Sequence, residues 1–331
     1  MLKVSSFCIY EYDDNEETLI TFIYPEMSQD LKSVIQETAH FLLTTSSSLS
    51  LYSYYKSNYL YFDGTRNNEK SDGVRLYGVC VVSSEFHPQM YISLSGFLSK
   101  VACSMGLPPK VLRALLAIQT EGSASIGNSG FSYDAFPEDY STHCSFDVLL
   151  DRAGQYITVI WQALVSGKSV AVYSPDLAIL QAVAAPISYF CYPGKRQLIP
   201  LVLEKSMAQT SAALDTPLSI WCTCDSSILN GRFDLIVDLS TRSVKYSSSF
   251  SKEAGKSSLL ESLMETINDT TAAEGNVANA ISNFNKVILD TLKQIKLKTG
   301  ELNHQTIGTT SLPSDKKMIL TGMATSGVFQ V

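Results

Sequence analysis

The chain has 331 residues, 45% hydrophobic and 17% charged, with a net charge of −7 and a pI near 5.2. That apolar content suits a buried core and excludes a disordered chain, and the length points to two domains or one two-lobed domain. The acidic balance, with no Lys/Arg stripe, excludes nucleic acid as the main ligand.

The first region reads as strands around one helix. Residues 7–12 and 19–24 are strands flanking the polar turn Asp13-Asp14-Asn15-Glu16, and Pro25 ends the second of them. Asp30 is placed to cap a helix with Leu31, Val34, Ile35, Thr38 and Leu42 on one side, broken by the hydroxyl-rich run 44–48. The tyrosine-rich stretch 51–62 reads as one or two further strands, 63–73 as a polar loop and 76–82 as an apolar strand. His87-Pro88 precedes a helix with Tyr91, Leu94, Leu98, Val101 and Met105 at helical spacing, closed by Gly106. Pro108-Pro109 opens a second, apolar helix over 110–119. The Gly- and Ser-rich run 122–130 reads as a linker, with the main domain boundary there or just after it.

The second region opens at 146–150. A helix with Tyr156, Ile157, Ile160, Trp161, Leu164 and Val165 follows, ending at Ser166-Gly167-Lys168. Residues 169–173 form a short apolar strand, as in a sheet covered on both faces. Asp176 begins a helix that Pro186 is expected to stop. Further strands are expected at 217–223 and 233–239, with 243–246 as a short partner, so helix and strand alternate as in an α/β layer. From Leu259 the chain is helical, with one stripe from Leu259 to Ile267 and a longer one from Val277 to Ile295. The last thirty residues, rich in Thr, Ser and Gly, are expected to dock loosely.

No apolar run approaches the roughly 20 residues that span a bilayer. Glu11, Asp13 and Asp14 arrive too early for a signal-peptide core. Seven cysteines, Cys8, Cys80, Cys103, Cys144, Cys191, Cys222 and Cys224, are odd in number and scattered in mostly apolar surroundings. That is the pattern of free thiols in a reducing compartment, and a soluble, cytosolic protein is expected.

Candidate chemistry is sparse. Two Gly-Lys-Ser tripeptides suggest a phosphate loop, but the required upstream glycine is Gln162 in one and Phe250 in the other, and Gly167 precedes a strand where a phosphate loop precedes a helix. Gly167 is read instead as a helix C-cap and Lys168 as a C-terminal cation. Cys222-Thr223-Cys224 has no matching pair to complete a zinc site, and its thiols are read as facing the core. His40, His87, His143 and His304 lie in four separate segments, and His143-Cys144 is read as a surface loop. No catalytic residue, cofactor site or metal site is assigned. Two features point to binding. Along 19–24, Leu19 and Ile23 are read on one face and Ile20, Phe22 and Tyr24 on the other, so a two-layer sheet would present Phe22 and Tyr24 to a partner, whereas a three-layer one would cover them. The 277–295 stripe would meet either a partner coiled coil or its own domain.

The sequence resembles the DENN domain family. The residues concerned are Phe7-Cys8-Ile9-Tyr10-Glu11, Tyr24-Pro25, Tyr77-Gly78-Val79-Cys80-Val81-Val82 and Phe86-His87-Pro88-Gln89-Met90-Tyr91. The likeness continues through Ala163-Leu164-Val165-Ser166-Gly167-Lys168-Ser169-Val170-Ala171-Val172-Tyr173-Ser174 and Ile199-Pro200-Leu201. It implies a two-lobed α/β fold: a longin-like lobe over 1–125, a central α/β DENN core over 126–250 and a helical downstream part over 251–331. It also implies a cytoplasmic protein recruited to endosomes or other vesicles, acting as a guanine-nucleotide exchange factor that holds a Rab GTPase between its lobes. The other implied role is a non-catalytic scaffold docked on coiled-coil subunits of an endosomal complex, with membrane association only through partners. On two-lobe geometry, Tyr173, Ser174 and Asp176 would face such a cleft, with Phe22 and Tyr24 as the other partner-binding candidates.

Overall fold

The chain divides into two units, Met1–Tyr140 and Ser141–Val331. The computed structural model describes residues 2–45, 48–56, 58–68, 73–136, 145–190, 197–199, 219–255, 257–273 and 275–326.

In the first unit, β1 (Val4–Asp13) and β2 (Thr18–Tyr24) form a hairpin. Asp13 Oδ1 organises its turn by accepting from the N–H groups of Asn15 and Glu17, each at 2.9 Å. Helix α1 (Gln29–Thr45) buries Ile35, Thr38, Ala39 and Leu42. Ser28, not Asp30, supplies a capping oxygen, accepting from Leu31 N–H at 3.3 Å. Strands β3 (Leu51–Tyr55), β4 (Asn58–Arg66) and β5 (Val74–Ser83) complete a five-stranded antiparallel sheet in the order β2-β1-β5-β4-β3. Asp63 and Gly64, expected in a loop, lie in β4. Glycine is suited there because the Leu76 side chain fills the space a Cβ would take, 2.9 Å away.

Helix α2 (Pro88–Met105) starts at His87, whose Nδ1 accepts from Met90 N–H at 3.3 Å, and ends at Gly106. Helix α3 (Pro108–Glu121) follows. Phe7, Ile9, Tyr61, Val79 and Val81 pack with Met90, Leu94 and Leu98 of α2 and Val111 and Leu115 of α3. The alternate residues Cys8, Tyr10, Leu60, Phe62 and Cys80 are buried on the other face, where α1 packs. The segment read as a linker is a hairpin, β6 (Ser123–Ile126) with β7 (Ser129–Ser132), whose Phe131 joins the same core. Gly122 and Gly127, at φ +79° and +57°, make its tight reversals, and the composition of such turns is that of a linker.

The second unit begins with α4 (Asp147–Ala153) and α5 (Ile157–Val165). Strand β8 (Val170–Tyr173) follows, then α6 (Leu177–Tyr189), β9 (Gln197–Ile199), β10 (Ser219–Thr223), β11 (Leu235–Asp238) and β12 (Ser243–Tyr246). The sheet order is β12-β11-β8-β10-β9, with β8 parallel to both neighbours and β12 antiparallel at one edge. Val170, Val172, Ile220, Cys222, Leu235 and Val237 are buried on one face, and Ala171, Trp221 and Ile236 pack with Ile228 and Phe233 on the other. Pro186 does not stop α6, which runs three residues past it. A proline one turn from the end leaves few helical bonds to break, and here it is buried against the core.

Four helices complete the unit: α7 (Ser258–Ala272), α8 (Val277–Thr299), α9 (His304–Gly308) and α10 (Ser314–Thr325). The long stripe of α8 packs on its own unit. Buried Asn285 accepts from Trp161 Nε1 at 2.8 Å and donates to the Phe190 carbonyl at 3.2 Å. The last thirty residues are not loosely docked over their described part. Ile307, Ile319, Leu320 and Met323 are buried, and Asp315 accepts from Ser258 N–H and Oγ at 2.7 and 2.9 Å. Those donors hold the Asp315 carboxyl at about 2. The fold class is the expected one: an α/β unit with an antiparallel sheet, an α/β unit with a mixed sheet, and C-terminal helices.

Candidate partner-binding surfaces

In the second unit, β8 is the strand from which the order runs both ways. In open α/β sheets the carboxyl ends of the strands at such a point are where ligands and partners are met. Three aspartates follow three adjacent parallel strands there: Asp176 after β8, Asp225 after β10 and Asp238 at the end of β11. Each organises its own loop. Asp176 Oδ1 caps α6 by accepting from Ala178 and Ile179 N–H at 2.8 and 3.3 Å. Asp225 accepts from Ser227 N–H and Oγ at 2.9 and 2.7 Å. Asp238 Oδ1 accepts from Ser240 N–H, Ser240 Oγ and Thr241 N–H at 2.9, 2.6 and 3.2 Å.

The electrostatics follow from these bonds. Partial burial opposes charge on Asp238, but the Ser240 and Thr241 donors outweigh it and hold the carboxyl below its ordinary value. The Tyr173 phenol is pushed up, by desolvation first and then by the negative charge of Asp238 and its neighbours. The Cys224 thiol rises to about 11 through burial and the nearby Asp176, so at neutral pH it is protonated and a poor nucleophile. Charged carboxylates around a half-buried tyrosine make a rim suited to recognising basic groups.

The structure places the expected site residues in two different settings. Tyr173 is half-buried on this rim and Asp176 exposed on it, but Ser174 is buried, its hydroxyl accepting from Asp176 N–H at 3.2 Å. Ser174 therefore shapes the turn and offers no contact surface. Phe22 and Tyr24 lie in the other unit, on edge strand β2. A bulge at Thr21 pairs Phe22 with Ile9 but Ile20 with Tyr10, regrouping the strand. Leu19, Phe22 and Tyr24 share the α2 face, and Ile20 and Ile23 share the other. Phe22 packs half-buried on Phe7 with ring centroids 5.8 Å apart, and Tyr24 is exposed. Asp225 and Asp238 escaped the sequence reading. Their signal was an aspartate at the end of each short apolar strand, one repeated at Asp176.

The remaining candidates have structural roles. Gly167, at φ +71°, caps α5, and Ser326 of the C-terminal segment packs against it, so the turn is filled by protein. Lys168 Nζ lies 3.9 Å from Glu253, and Ser169 bonds the Asp234 carboxylate through N–H and Oγ at 2.9 and 3.0 Å. Cys222 is fully buried, but Cys224 lies past the end of β10 and is half-buried, so the two thiols do not share a core environment. Among the described residues no group of three or more His, Cys, Asp or Glu is arranged to hold a metal ion. No helix there is long and apolar enough to cross a membrane. His143, Cys144, Cys191, Pro200 and Leu201 fall outside the described residues.

No family model matches the chain. It is 26% identical to DENN domain-containing protein 10 of Dictyostelium discoideum over 354 aligned residues, covering 97% of this chain and 94% of that protein. It is 21% identical to the protein of that name from Mus musculus and 22% to that from Danio rerio, over 52% and 53% of this chain and about half of each relative. Over nearly its whole length, and with the expected succession of antiparallel sheet, mixed sheet and helices, the chain is homologous to DENN domain-containing protein 10.

Proposed function

We propose that the protein acts in endosomal or vesicle traffic as a DENN-type guanine-nucleotide exchange factor for a Rab GTPase. The observation that carries this reading is the near full-length homology to a DENN protein, since exchange on Rab proteins is the general activity of that family. The rim of Asp176, Asp225 and Asp238 supports it by offering fixed negative charge to a partner. Exchange needs no nucleophile or general base. The factor binds the nucleotide-free GTPase more tightly than the loaded form, and that difference lowers the barrier to nucleotide release. Every tenfold preference for the empty state corresponds to about 1.4 kcal/mol. On this reading the protein is cytoplasmic and reaches endosomes through its partners. The test is release of a fluorescent GDP analogue from a panel of purified Rab proteins with the full chain added. Acceleration of one or a few Rabs is expected, and no acceleration of any would overturn the reading.

A second reading is a non-catalytic scaffold on coiled-coil subunits of an endosomal complex. It is favoured by the exposed Leu19 and Tyr24 beside Phe22 on the rim of the first sheet. Tyr24→Asp abolishing co-purification of a coiled-coil subunit, with the melting temperature unchanged, would support it.

A further inference from the structure

Strand β2 is an edge, with β1 on one side and, among the described residues, no strand on the other. An edge leaves alternate N–H and C=O groups without ladder partners, and proteins that need no partner there commonly blunt it with lysine, proline, a bulge or cover. The seven residues of β2, Thr18 to Tyr24, include no charge and no proline; the protection present is local, a bulge at Thr21 and Gln36 Nε2 donating to the Thr18 carbonyl at 2.6 Å. Leu19 and Tyr24 are 47% and 45% exposed. Helix α2 lies over β4 and β5, which leaves the Leu19, Phe22 and Tyr24 side of the edge as an apolar shelf.

The charges around the strand select the occupant. In the β1–β2 turn, Arg75 already pairs with Asp14 at 2.8 Å and with Glu16 at 3.7 Å. Glu17 and Glu26, exposed at the two ends of β2, make no ion pair among the described residues, and the nearby Lys3 is engaged with Glu85 at 3.7 Å. A second copy is disfavoured. Antiparallel pairing of two β2 strands about Thr21 would set Glu17 of each copy close to Glu26 of the other, with like charges at both ends. The complement is an extended segment of a different protein, apolar at alternate positions in its middle and basic at both ends.

We infer that β2 is a strand-addition site for such a segment, which would extend the sheet by main-chain bonds while its alternate apolar side chains cover Leu19, Phe22 and Tyr24. The inference holds whether or not the protein exchanges nucleotide on a Rab, and its test contains no GTPase.

The test pans the purified full chain against a phage-displayed library of random linear peptides. Enriched sequences are then synthesised and titrated by fluorescence anisotropy. Alternating apolar residues between Lys or Arg ends are expected, with amide protection on binding gained in 18–24. Glu17→Lys with Glu26→Lys, both at exposed positions, should weaken binding about tenfold at low salt. A peptide with acidic ends should recover affinity for that double variant. Tyr24→Asp should weaken binding at least as much at an unchanged melting temperature. Failure to enrich any sequence, enrichment of helical peptides, equal affinity for the charge-reversed chain, or protection elsewhere would each overturn the proposal.

Discussion

The central strands of the two sheets reach full burial by opposite routes. The sheet of the first unit is antiparallel and local in sequence, and an ordinary strand there alternates between the side of α1 and the side of α2 and α3. The central strands of the second sheet are parallel, short and apolar throughout, as in Val170-Ala171-Val172, and depend on elements distant in sequence. The difference shows in where polar groups collect. Parallel strands ending together put three aspartates on one rim, whereas the antiparallel sheet alternates its ends and leaves an uncharged lateral edge.

The comparison breaks most readily in the second unit. Asn285→Ala would strand the Trp161 indole N–H and the Phe190 carbonyl, both served by one buried amide. A loss of about 3 kcal/mol is expected. It should be read as a lower melting transition of the second unit, with near-UV signals of the first preserved; equal loss in both would mean the units unfold as one.

In the first unit the matching change is Gly78→Ala, because the added methyl would collide with the Tyr10 ring. Overpacking of about 2 kcal/mol is expected in chemical denaturation, relieved when Tyr10→Leu, which removes the ring, is combined with it. Full tolerance of alanine would mean that the face under α1 is looser than its complete burial indicates.

A smaller effect is expected at the acidic rim. Asp176→Asn with Asp238→Asn keeps oxygens that can cap the following turns but removes two charges. If the rim meets a basic partner surface, Rab nucleotide release should slow about tenfold and lose part of its salt dependence. Unchanged kinetics would move the contact elsewhere.

The smallest concerns acid. The folded Asp315 carboxyl, at about 2, lies below its ordinary 3.8, so its contribution is complete above roughly pH 4 and lost as the pH falls towards 2. Melting temperatures between pH 5 and 2.5 should fall less steeply in Asp315→Asn than in the parent chain.

Much of the fold is legible in the sequence wherever a local rule operates. Short, nearly continuous apolar runs mark β1 and β5, and the His87 cap, Pro88 and Gly106 bound α2. An apolar helix running into a short apolar strand marks α5 and β8. What was not legible involves choices between conformations of similar local cost. The 122–130 run has the residues of a linker and of a hairpin turn alike, and only the burial of Phe131 selects the hairpin. The last two helices lack a strong apolar stripe; α9 starts on a reciprocal pair of hydrogen bonds between Asn303 and Thr306, and α10 is anchored through Asp315.

For the candidate surfaces the division is similar. Sequence alone determined the acidic charge, the placing of Tyr173 at the end of an apolar strand and of Asp176 just after it, and the apolar, uncharged character of residues 18–24, because these depend on residue type and order. Tertiary structure decided which residues share a face. One extra residue at Thr21 moves Phe22 and Tyr24 to the side of Leu19, since a shift of one position inverts every side chain of a strand. Likewise, only the parallel pairing of β8 with β10 and β11 gathers Asp176, Asp225 and Asp238 on one rim. Residues 50 and 65 positions apart become neighbours through backbone hydrogen bonds that no local pattern encodes.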